Sequence, residues 1–400
     1  MKEIYITHGL RTAIGKIGKS LSDKPDVELG GIVVSDLMNR AAINKREIQH
    51  VVMGQVRQHA NPSNVARAIS LRAGLPETVP AYTVHRQCGS GLQAIMNACQ
   101  MIISDEADVV IAGGVENMSR SVYFMRNTKK GMGNGNYMIE DSLTQGGPGA
   151  VPRDLYGDLP MGITAEKLAE IYHISREEQD IFSHNSQEKA AAAISEGRFK
   201  QQIVPITLNN GKIFDTDEHP FLSDLEKLKK LRAVFKKDGS VTAGNSSGRN
   251  DGAAAVLVMS KEKADILGYQ PMARLISMSS SGCDPTVMGL GPVECTRNAL
   301  DYAGLKLQDI GVIELNEAFA AQSIAVLMEW EKWGISRDEL KKRVNPNGGA
   351  IALGHPVGCT GAMLVVKCLH ELMRAPEKKR GLVTLCCGGG LGVAMIIEKM

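Results

Sequence analysis

Three side chains able to act as nucleophile, acid or base stand in turn-like segments beside apolar runs. Cys88 lies where the extended run Ala81–Val84 gives way to a helical pattern, and Cys386 begins a glycine-rich turn much later in the chain. His355 lies in a Gly-His-Pro turn at 354–356. A cysteine with a remote histidine is the expected pattern for a nucleophile and its activating base. Two thiols and an imidazole together predict acyl chemistry on a thioester.

The residues after Cys88 predict a helix packed on a core. Apolar residues recur there at helical spacing, and they are Leu92, Ile95, Met96, Cys99, Ile102 and Ile103. At a helix start, unpaired N–H groups and the positive dipole end favour the thiolate form of Cys88. Gly89 and Gly91 are expected to let a substrate carbonyl approach the backbone. The alternative for Cys88 by itself is a small buried apolar residue, as most free cysteines are.

His355 belongs to a segment, Asn347–Pro356, that is too rich in Gly and Pro for a helix or a central strand. We therefore expect the histidine to project from a rigid loop, although a loop histidine is often only a surface or hydrogen-bonding residue. The next segment predicts a helix that ends before Pro376. Its apolar side is formed by Leu364, Val365, Cys368, Leu369, Leu372 and Met373.

Cys386 has a second cysteine, Cys387, directly after it. Residues 381–385 predict a buried strand that leads into this pair and then into Gly388–Gly390. Successive residues of an extended segment point to opposite sides, so only one of the two thiols faces the site. Spacing alone leaves the choice between them open.

Ordered motifs over nearly the whole chain resemble those of the thiolase family. The matching blocks are Arg11–Gly15, Cys88–Leu92, Gly113–Ser119, Asn316–Phe319, Gly354–Pro356 and Cys386–Gly390. The resemblance implies an α/β protein with the thiolase fold, in which duplicated five-layered αβαβα halves carry an inserted loop domain. It implies an N-terminal half at 1–118, completed by about 242–270, and a C-terminal half at 271–400. Between them it implies a loop domain at 119–241 that binds coenzyme A, covers the active site and makes subunit contacts.

The resemblance also implies a role for each reactive group. Cys88 would accept the acyl group, and Cys386 would remove or return the Cα proton. His355 would activate Cys88 and help to hold a thioester oxyanion, assisted by a water on Asn316. A second oxyanion site would use the backbone N–H groups of Cys88 and Gly388, and such donors contribute about 3 kcal/mol each where water is excluded.

The family pattern further selects Cys386 over Cys387, because its acid/base cysteine stands two residues before the second oxyanion glycine. Ser247, in the segment 242–248, matches the residue that contacts the pantetheine arm of coenzyme A. The other positions implied to contact coenzyme A are Met161, Phe235, Ala243, Ala318 and Phe319. No permanently bound cofactor or metal is expected, since coenzyme A and acyl-CoA are substrates.

The activity implied is the reversible condensation of two acetyl-CoA molecules to acetoacetyl-CoA and free CoA. A degradative 3-ketoacyl-CoA thiolase of broader chain length is the main alternative. A ketosynthase-like enzyme would have a second histidine in place of Cys386, and a non-catalytic CoA- or lipid-binding protein would not need the set of reactive residues. The resemblance also implies a homo-oligomer, a dimer or a tetramer, and a place in fatty acid metabolism.

Several positions depart from the family pattern. Pro160 precedes Met161 where a histidine is usual, His85 replaces an asparagine, and the run Asp217–Leu222 lacks an arginine that packs on adenine. Gly146–Arg153 does not resemble the segment that narrows the acyl pocket. The acyl-chain preference and the adenine contacts therefore stay open. The tryptophans at 330 and 333 are expected in core packing or a subunit contact.

The overall composition fits a cytoplasmic enzyme of two or more domains. The chain has 400 residues, 43% of them hydrophobic, and a net charge of +2, which gives no general nucleic-acid footprint. Its eight cysteines include no Cys-x-x-Cys pair, so a reducing compartment is predicted. No apolar signal core and no apolar stretch of membrane-spanning length is present. One cluster of basic residues has two interpretations, a solvated helical face or a surface that attracts the phosphates of CoA. The cluster comprises Lys227, Lys229, Lys230, Arg232, Lys236 and Lys237.

A faint internal repeat supports a duplicated fold. The segment from Ala41 to Gln55 has the same rhythm as the segment from Ala303 to Glu317, at an offset of 262. Each predicts the end of a helix, a short turn and a strand. Between the halves, long glycine-containing loops indicate a functional segment, and Ser175–Glu178 fits a helix capping box.

Overall fold

The structure is a computed structural model that describes residues 2–58, 60–126 and 128–400. Its strands are β1 (Ile4–Thr12), β2 (Gly15–Lys16), β3 (His50–Gly54), β4 (Ala81–Val84), β5 (Val109–Asn117), β6 (Tyr123–Phe124), β7 (Glu140–Asp141), β8 (Ile203–Val204), β9 (Ile206–Thr207), β10 (Ile213–Phe214), β11 (Asn250–Ser260), β12 (Ala273–Gly282), β13 (Val312–Leu315), β14 (Arg380–Cys387) and β15 (Leu391–Lys399). Its α-helices are α1 (Asp26–Arg40), α2 (Val65–Arg72), α3 (Ser90–Ile103), α4 (Ser142–Gln145), α5 (Arg153–Tyr156), α6 (Met161–Ile171), α7 (Arg176–Ser195), α8 (Leu225–Lys229), α9 (Lys261–Leu267), α10 (Gly291–Ala303), α11 (Ala320–Glu331), α12 (Arg337–Arg343), α13 (Ala350–Leu353) and α14 (Thr360–Arg374).

Two sheets of the same design meet edge to edge. One has the strand order β4-β3-β5-β11-β1 and the other has the order β12-β15-β14-β13, and they join through a short antiparallel pairing of β1 with β12. In each sheet the first strands pair in parallel and the later ones pair antiparallel. The strands are buried along nearly their whole length because helices cover both faces.

The helices complete a five-layer arrangement. One core lies between α1, α2 and the first sheet, and another lies beneath α10 and α11 on the second sheet. The largest shared core holds α3 and α14 between the two sheets. The predicted α/β class with five layers is therefore confirmed.

The repeat suggested by the sequence appears in the structure with the predicted offset. Short 3-10 turns at Lys45–Glu47 and Leu307–Asp309, and the strands β3 and β13 that follow them, are each separated by 262 residues. The equivalent helices α3 and α14 begin 270 residues apart. By that same offset His85 of the first half corresponds to His355 of the second. The two halves therefore present equivalent loops to each other at the starts of α3 and α14.

Glycines allow those two helices to approach closely. A side chain at Gly361 would overlap the backbone nitrogen of Leu92, and a side chain at Gly91 would lie 2.8 Å from the backbone nitrogen of Ala362. The two contacts are related by the repeat offset of 270. Only glycine permits this spacing, because the opposing atoms are backbone and cannot rotate away.

The helices and strand predicted around the reactive residues are confirmed, with two differences. α3, α14 and β14 occur where the sequence patterns place them. The segment before His355 contains a helical turn, α13, which Gly and Pro content argued against, because Gly349 and Gly354 bound a short apolar run. Met373 was expected on the apolar side of α14 but is 49% exposed at the last turn of the helix.

The segment between the halves is a set of helices and loops laid over one end of the sheets. Ser175 accepts a hydrogen bond from the Glu178 backbone while the Glu178 side chain accepts one from Ser175, so the predicted capping box is confirmed at the start of α7. Trp330 is fully buried in the core beneath α11, and Trp333 packs partly against it. Across the described ranges, no helix is both long enough and apolar enough to cross a membrane.

A buried ion pair ties the inserted segment to the first sheet. The Arg11 guanidinium on β1 donates to both carboxylate oxygens of Asp217, at 2.7 and 2.9 Å, and both side chains are fully buried. The same carboxylate accepts the backbone N–H of Ile14 at 2.8 Å. Arg11 also donates to Gln202 and lies over the Phe199 ring. Asp217, which begins the run that lacks the adenine-packing arginine, thus has a structural role here.

Candidate active site

One cavity of about 500 Å³ is lined by both cysteines and the histidine singled out by the sequence. Cys88 comes from the loop before α3, His355 from the equivalent loop before α14, and Cys386 from the end of β14. These loops lie beyond the carboxyl ends of parallel strands, where α/β sheets commonly bind ligands. A second cavity, of about 400 Å³ between α7, α11 and α12, has no cysteine or histidine in its lining.

Cys88 lies in a tight turn two residues before α3. The preceding Gln87 has a φ of 46°, a conformation that non-glycine residues rarely adopt. Burial raises the pKa of the Cys88 thiol, while the Gly388 backbone N–H and the Arg57 charge oppose that shift. Backbone donors therefore favour the thiolate as expected, but desolvation has the larger effect on the pKa of this thiol.

The glycines around Cys88 have a packing role. A side chain at Gly89 would lie 2.7 Å from the Cys387 sulfur, and one at Gly91 would meet the backbone before α14. Packing thus accounts for glycine at both positions, and the approach of a substrate carbonyl to this backbone stays a prediction. These positions hold the nucleophile loop against β14 and α14.

Hydrogen bonds to His355 define which ring nitrogen carries the proton. Its Nδ1 lies 2.7 Å from the Thr360 hydroxyl oxygen, and that hydroxyl donates its own hydrogen to the Pro356 carbonyl at 2.9 Å. Thr360 must then accept from His355, so Nδ1 carries the hydrogen. The other nitrogen, Nε2, is buried with no partner among the described residues. His355 thus presents a free lone pair in the cavity lining.

The backbone of His355 is held by Asn250. The Asn250 carboxamide oxygen accepts the His355 N–H at 3.0 Å, and its nitrogen lies 2.9 Å from the Gly15 carbonyl and 3.2 Å from His219. Gly354, at φ 99°, leaves room for this amide, since a side chain there would lie 2.5 Å from it. Burial lowers the pKa of His355 to about 4, so the imidazole is neutral at pH 7.

The two adjacent cysteines occupy different surroundings. Cys386 lines the cavity beside Met288 and Phe319, whereas Cys387 belongs to the core between the sheets. Burial raises the pKa of Cys386 well above its usual value. β14 is extended here, which sends its neighbouring side chains to opposite faces.

Gly388 lies in the lining of the cavity, whereas Asn316 lies outside it. Gly388 lines it, and its N–H faces the Cys88 sulfur closely enough to lower the pKa of that thiol. Asn316 follows β13 and is fully buried outside the cavity lining. Neither polar atom of its carboxamide has a partner among the described residues. Such a group is usually satisfied by a bound water.

Five of the six positions expected to contact coenzyme A line the cavity, namely Ser247, Met161, Phe235, Ala318 and Phe319. Ser247 is fixed by its backbone N–H, which donates to the Ala318 carbonyl at 3.0 Å. The Phe235 and Phe319 rings meet edge to face, with centroids 6.0 Å apart. Ala243 is exposed and is not part of the lining, because the turn at 242–245 directs it outward.

The basic cluster at 227–237 is exposed. Lys227, Lys229 and Lys236 each pair with a nearby carboxylate on the surface, the partners being Asp224, Glu226 and Glu170. The cluster adjoins Phe235, so it remains a surface beside the cavity mouth.

A roof formed by residues 143–150 covers the cavity. Ala150 lies against Gly388 and Gly389, and Gly147 lies against Met161. Gly146 packs on the Arg57 guanidinium, where any side chain would overlap it. This is the segment in which the sequence departs from the pocket-narrowing pattern of the family.

Sequence reasoning did not identify Thr360, Asn250 or Arg57. A hydroxyl residue five positions after His355 at a predicted helix start is a signal for Thr360, because a helix start turns side chains back toward the preceding loop. Asn250 lies 105 residues before His355 and could not be linked to it by local pattern. Arg57 follows β3 in a segment with no motif.

Comparison with known proteins gives consistent matches along the whole chain. The family model described as "Thiolase, N-terminal domain" matches residues 4–262, and "Thiolase, C-terminal domain" matches residues 269–399. An acetyl-CoA acetyltransferase from Syntrophomonas wolfei is 47% identical, and one from Pseudomonas aeruginosa is 46% identical. Each alignment covers 100% of both chains.

Solved structures give the same picture. The crystal structure of the Bacillus anthracis acetyl-CoA acetyltransferase superimposes with a TM-score of 0.95 at 42% identity, covering 100% of this chain and 99% of that one. Human mitochondrial 3-ketoacyl-CoA thiolase in complex with CoA superimposes with a TM-score of 0.93 at 38% identity, covering 100% of this chain and 98% of that one.

Proposed function

This chain belongs to the thiolase family, and we infer from that membership that it is a CoA-dependent acyltransferase. It condenses two acetyl-CoA molecules to acetoacetyl-CoA and free CoA, or catalyses the thiolytic reverse reaction. The observation that carries the inference is the single cavity lined by Cys88, His355 and Cys386. Coenzyme A and its acyl thioesters are the substrates.

In the first step His355 Nε2 accepts the Cys88 proton while the sulfur attacks the thioester carbonyl. The Thr360 hydrogen bond keeps the Nε2 lone pair available for that proton. Once protonated, Nε2 becomes a donor to the oxyanion, with a water on Asn316 as its partner. The CoA thiolate leaves with a proton from Cys386, the acetyl group stays on Cys88, and His355 keeps the proton that it took.

In the second step Cys386, now a thiolate, removes the α-proton of the second acetyl-CoA. The resulting enolate attacks the acetyl carbonyl on Cys88 and forms the new carbon–carbon bond, and the released Cys88 sulfur takes its proton back from His355. The backbone N–H groups of Cys88 and Gly388 stabilise the oxyanion of this step. The raised pKa of Cys386 brings its basicity closer to that of a thioester enolate, which favours proton transfer.

The division of roles is tested by trapping the intermediate. We expect Cys88→Ala to form no acyl-enzyme with acetyl-CoA, and Cys386→Ala to become acetylated yet fail to condense. Intact-protein mass spectrometry reports the adduct, and loss of the acetoacetyl-CoA enolate absorbance on adding CoA reports turnover.

The control for this test is Cys387→Ala, which replaces a core thiol and should retain most activity. An acetyl adduct on Cys88→Ala at the wild-type level would overturn the nucleophile assignment. A loss in Cys387→Ala that matches Cys386→Ala would reverse the choice between the pair. Wild-type protein that binds CoA but turns over no substrate would identify a non-catalytic binding protein.

The proposal also covers the oligomeric state, the cellular location and the metabolic role of the enzyme. A dimer or tetramer is supported by the exposed apolar side chains of the β6–β7 segment, among them Tyr123, Met138 and Ile139. A cytoplasmic location is supported by eight free cysteines, and a role in fatty acid metabolism is supported by acyl-CoA chemistry. Light scattering of the purified protein measures the oligomeric state. Chain-length profiling separates an acetyl-specific enzyme from a degradative thiolase of broader range.

A further inference from the structure

Arg57 is a cation in the cavity lining that forms no ion pair with another described side chain, although its charge acts on the nearby Glu116 carboxyl. It follows β3, and its guanidinium makes neither an ion pair nor a side-chain hydrogen bond with any residue in the described ranges. Its Nε is buried without a partner there. A guanidinium removed from water normally has hydrogen-bond acceptors, so an unsatisfied one indicates a missing partner.

The position of Arg57 is fixed by its backbone. The Arg57 and Val56 N–H groups donate to the two carboxylate oxygens of Glu116, each at 2.9 Å, and the Gly358 N–H donates to the same carboxylate at 2.8 Å. Glu116 is thus occupied by backbone donors and forms no ion pair with the guanidinium. Burial raises the pKa of Glu116 to about 7, which further reduces its charge.

The guanidinium also lies close to the nucleophile. Arg57 and Cys88 line the same cavity. Burial raises the pKa of Cys88 and lowers that of His85, and the Arg57 charge opposes the first shift and adds to the second. Gly146 in the roof leaves the space that the guanidinium occupies.

Arg153, another arginine of the lining, is instead paired with Asp158. Arg249, the third arginine of the lining, also has no ion pair with a described residue but is exposed to solvent. Arg57 is therefore the partly buried cation of the lining that has no ion pair in the described part of the chain and is available to an acyl group held on Cys88.

We propose that Arg57 is a specificity-determining residue that binds a carboxylate at the far end of the acyl group, so that the enzyme accepts ω-carboxylated 3-oxoacyl-CoA substrates. This proposal rests on the thiolase activity proposed above and extends its substrate class. A planar guanidinium binds a carboxylate through two parallel N–H···O bonds, which neither a methyl group nor water replaces.

For a six-carbon substrate the reaction follows the thiolytic direction. His355 takes the Cys88 proton, the Cys88 sulfur bonds to C3 of 3-oxohexanedioyl-CoA, and the C2–C3 bond breaks. C2 takes a proton from Cys386 and leaves as acetyl-CoA, while a carboxypropanoyl group remains on Cys88 with its carboxylate at Arg57. A second CoA thiol gives its proton to Cys386 and its sulfur takes the acyl group, which yields butanedioyl-CoA, while the released Cys88 sulfur takes its proton back from His355.

The test compares two substrates that differ only in the terminal group. The probes are 3-oxohexanedioyl-CoA and 3-oxohexanoyl-CoA, with acetoacetyl-CoA as the reference for thiolase activity, and acetyl-CoA release is quantified chromatographically. We expect kcat/KM for the carboxylated probe to exceed that for the neutral probe by about tenfold or more, the usual contribution of a hydrogen-bonded charge. Arg57→Gln should abolish this preference, and Arg57→Lys should retain part of it.

Two further variants separate recognition from folding. Gly146→Ser keeps the charge but displaces the guanidinium, so it should also reduce the preference. Arg46→Gln removes an exposed arginine outside the cavity and should leave the substrate ratio unchanged. If Arg57→Gln does not fold, the ratio of kcat/KM for the carboxylated probe to kcat/KM for the neutral probe can still be measured in Arg57→Lys and Gly146→Ser.

The outcomes are distinguishable. A wild-type enzyme that cleaves acetoacetyl-CoA but prefers the neutral six-carbon probe would overturn the inference and leave the thiolase activity intact. An equal loss on all three substrates in Arg57→Gln would also overturn it, because Arg57 would then act on the Cys88 thiolate. No cleavage of acetoacetyl-CoA by the wild type would instead refute the proposed function.

Discussion

At the scale of single residues, the reactive groups are defined by what surrounds them. Cys88, His355 and Cys386 are all desolvated, which raises the pKa of both thiols and lowers that of the imidazole. Desolvation favours the neutral form of each group. These three groups are therefore uncharged in the resting enzyme, and proton transfer between them accompanies the reaction with substrate instead of preceding it.

Thr360 is expected to act as a positioning residue for His355. Thr360→Val removes the acceptor of the Nδ1 hydrogen, so the ring loses its preferred tautomer and orientation. We expect kcat/KM to fall about tenfold or more, within the range that a general base contributes. Thr360→Ser restores the hydroxyl and should restore most activity.

The measurement for Thr360 is the thiolysis of acetoacetyl-CoA across pH, with thermal unfolding of each variant as the folding control. If Thr360→Val and Thr360→Ser lose activity equally, the hydroxyl is not what orients His355 and the effect is one of packing.

The ionisation of Cys88 can be followed by its reaction with iodoacetamide. Because burial raises the thiol pKa above its ordinary value, the thiolate fraction should increase about tenfold per pH unit throughout the neutral range. We therefore expect the alkylation rate of Cys88 still to be rising at pH 9. Peptide mapping identifies the modified cysteine. A plateau near pH 7 would instead indicate a thiolate–imidazolium pair in the free enzyme.

At the scale of secondary-structure elements, sequence patterns identified the helices and strands whose signals lie within one short segment of the chain. The stripe after Cys88 specified α3, Ser175 and Glu178 specified the start of α7, and β14 followed from its apolar run. The helical turn α13 was missed because its four residues are too few to show a period. Contacts such as Asn250 with His355 join segments far apart in sequence, and no local pattern encodes them.

The buried ion pair between Arg11 on β1 and Asp217 in the inserted segment is expected to affect the free energy of unfolding. Asp217→Asn leaves the Arg11 guanidinium buried without a counter-charge, which typically destabilises a protein by about 3 kcal/mol or more. We expect the urea midpoint of unfolding to fall accordingly. The control is Asp265→Asn, which breaks the exposed pair with Lys261 and should leave the midpoint unchanged. If wild type and Asp217→Asn unfold at the same urea concentration, the attraction between Arg11 and Asp217 only offsets the cost of removing the two charges from water.

At the scale of the whole molecule, duplication explains how the site is assembled. Equivalent loops of the two halves supply Cys88 and the His355 imidazole, and the close contact of α3 with α14 holds those loops together. The sequence repeat and the family motifs predicted this architecture. The resemblance also implied that the loop domain at 119–241 covers the active site. It did not specify that residues 143–150 form the roof, since they have no periodicity and lie against Arg57 and Gly388, which are distant in sequence.

The contact between the halves should be intolerant of any added side chain. Gly361→Ala would press a methyl group onto the Leu92 backbone and separate α3 from α14, with an expected loss of about 2 kcal/mol or more. Gly31→Ala is the matched control, because it also lies within a helix but meets only the flexible Arg72 side chain at 3.2 Å. Chemical denaturation and acetoacetyl-CoA turnover measure both variants. Equal effects would show that the interface can relax.

The origin of Cys88, His355 and Cys386 in different halves has a consequence for biosynthesis. A ribosome releases the chain in order, so a nascent polypeptide that ends before β14 exposes the nucleophile without its imidazole in place and without the second thiol. Such a fragment cannot complete a catalytic cycle on the abundant thioesters of the cell. Reactivity is thus withheld until the second half has been synthesised and has docked on the first.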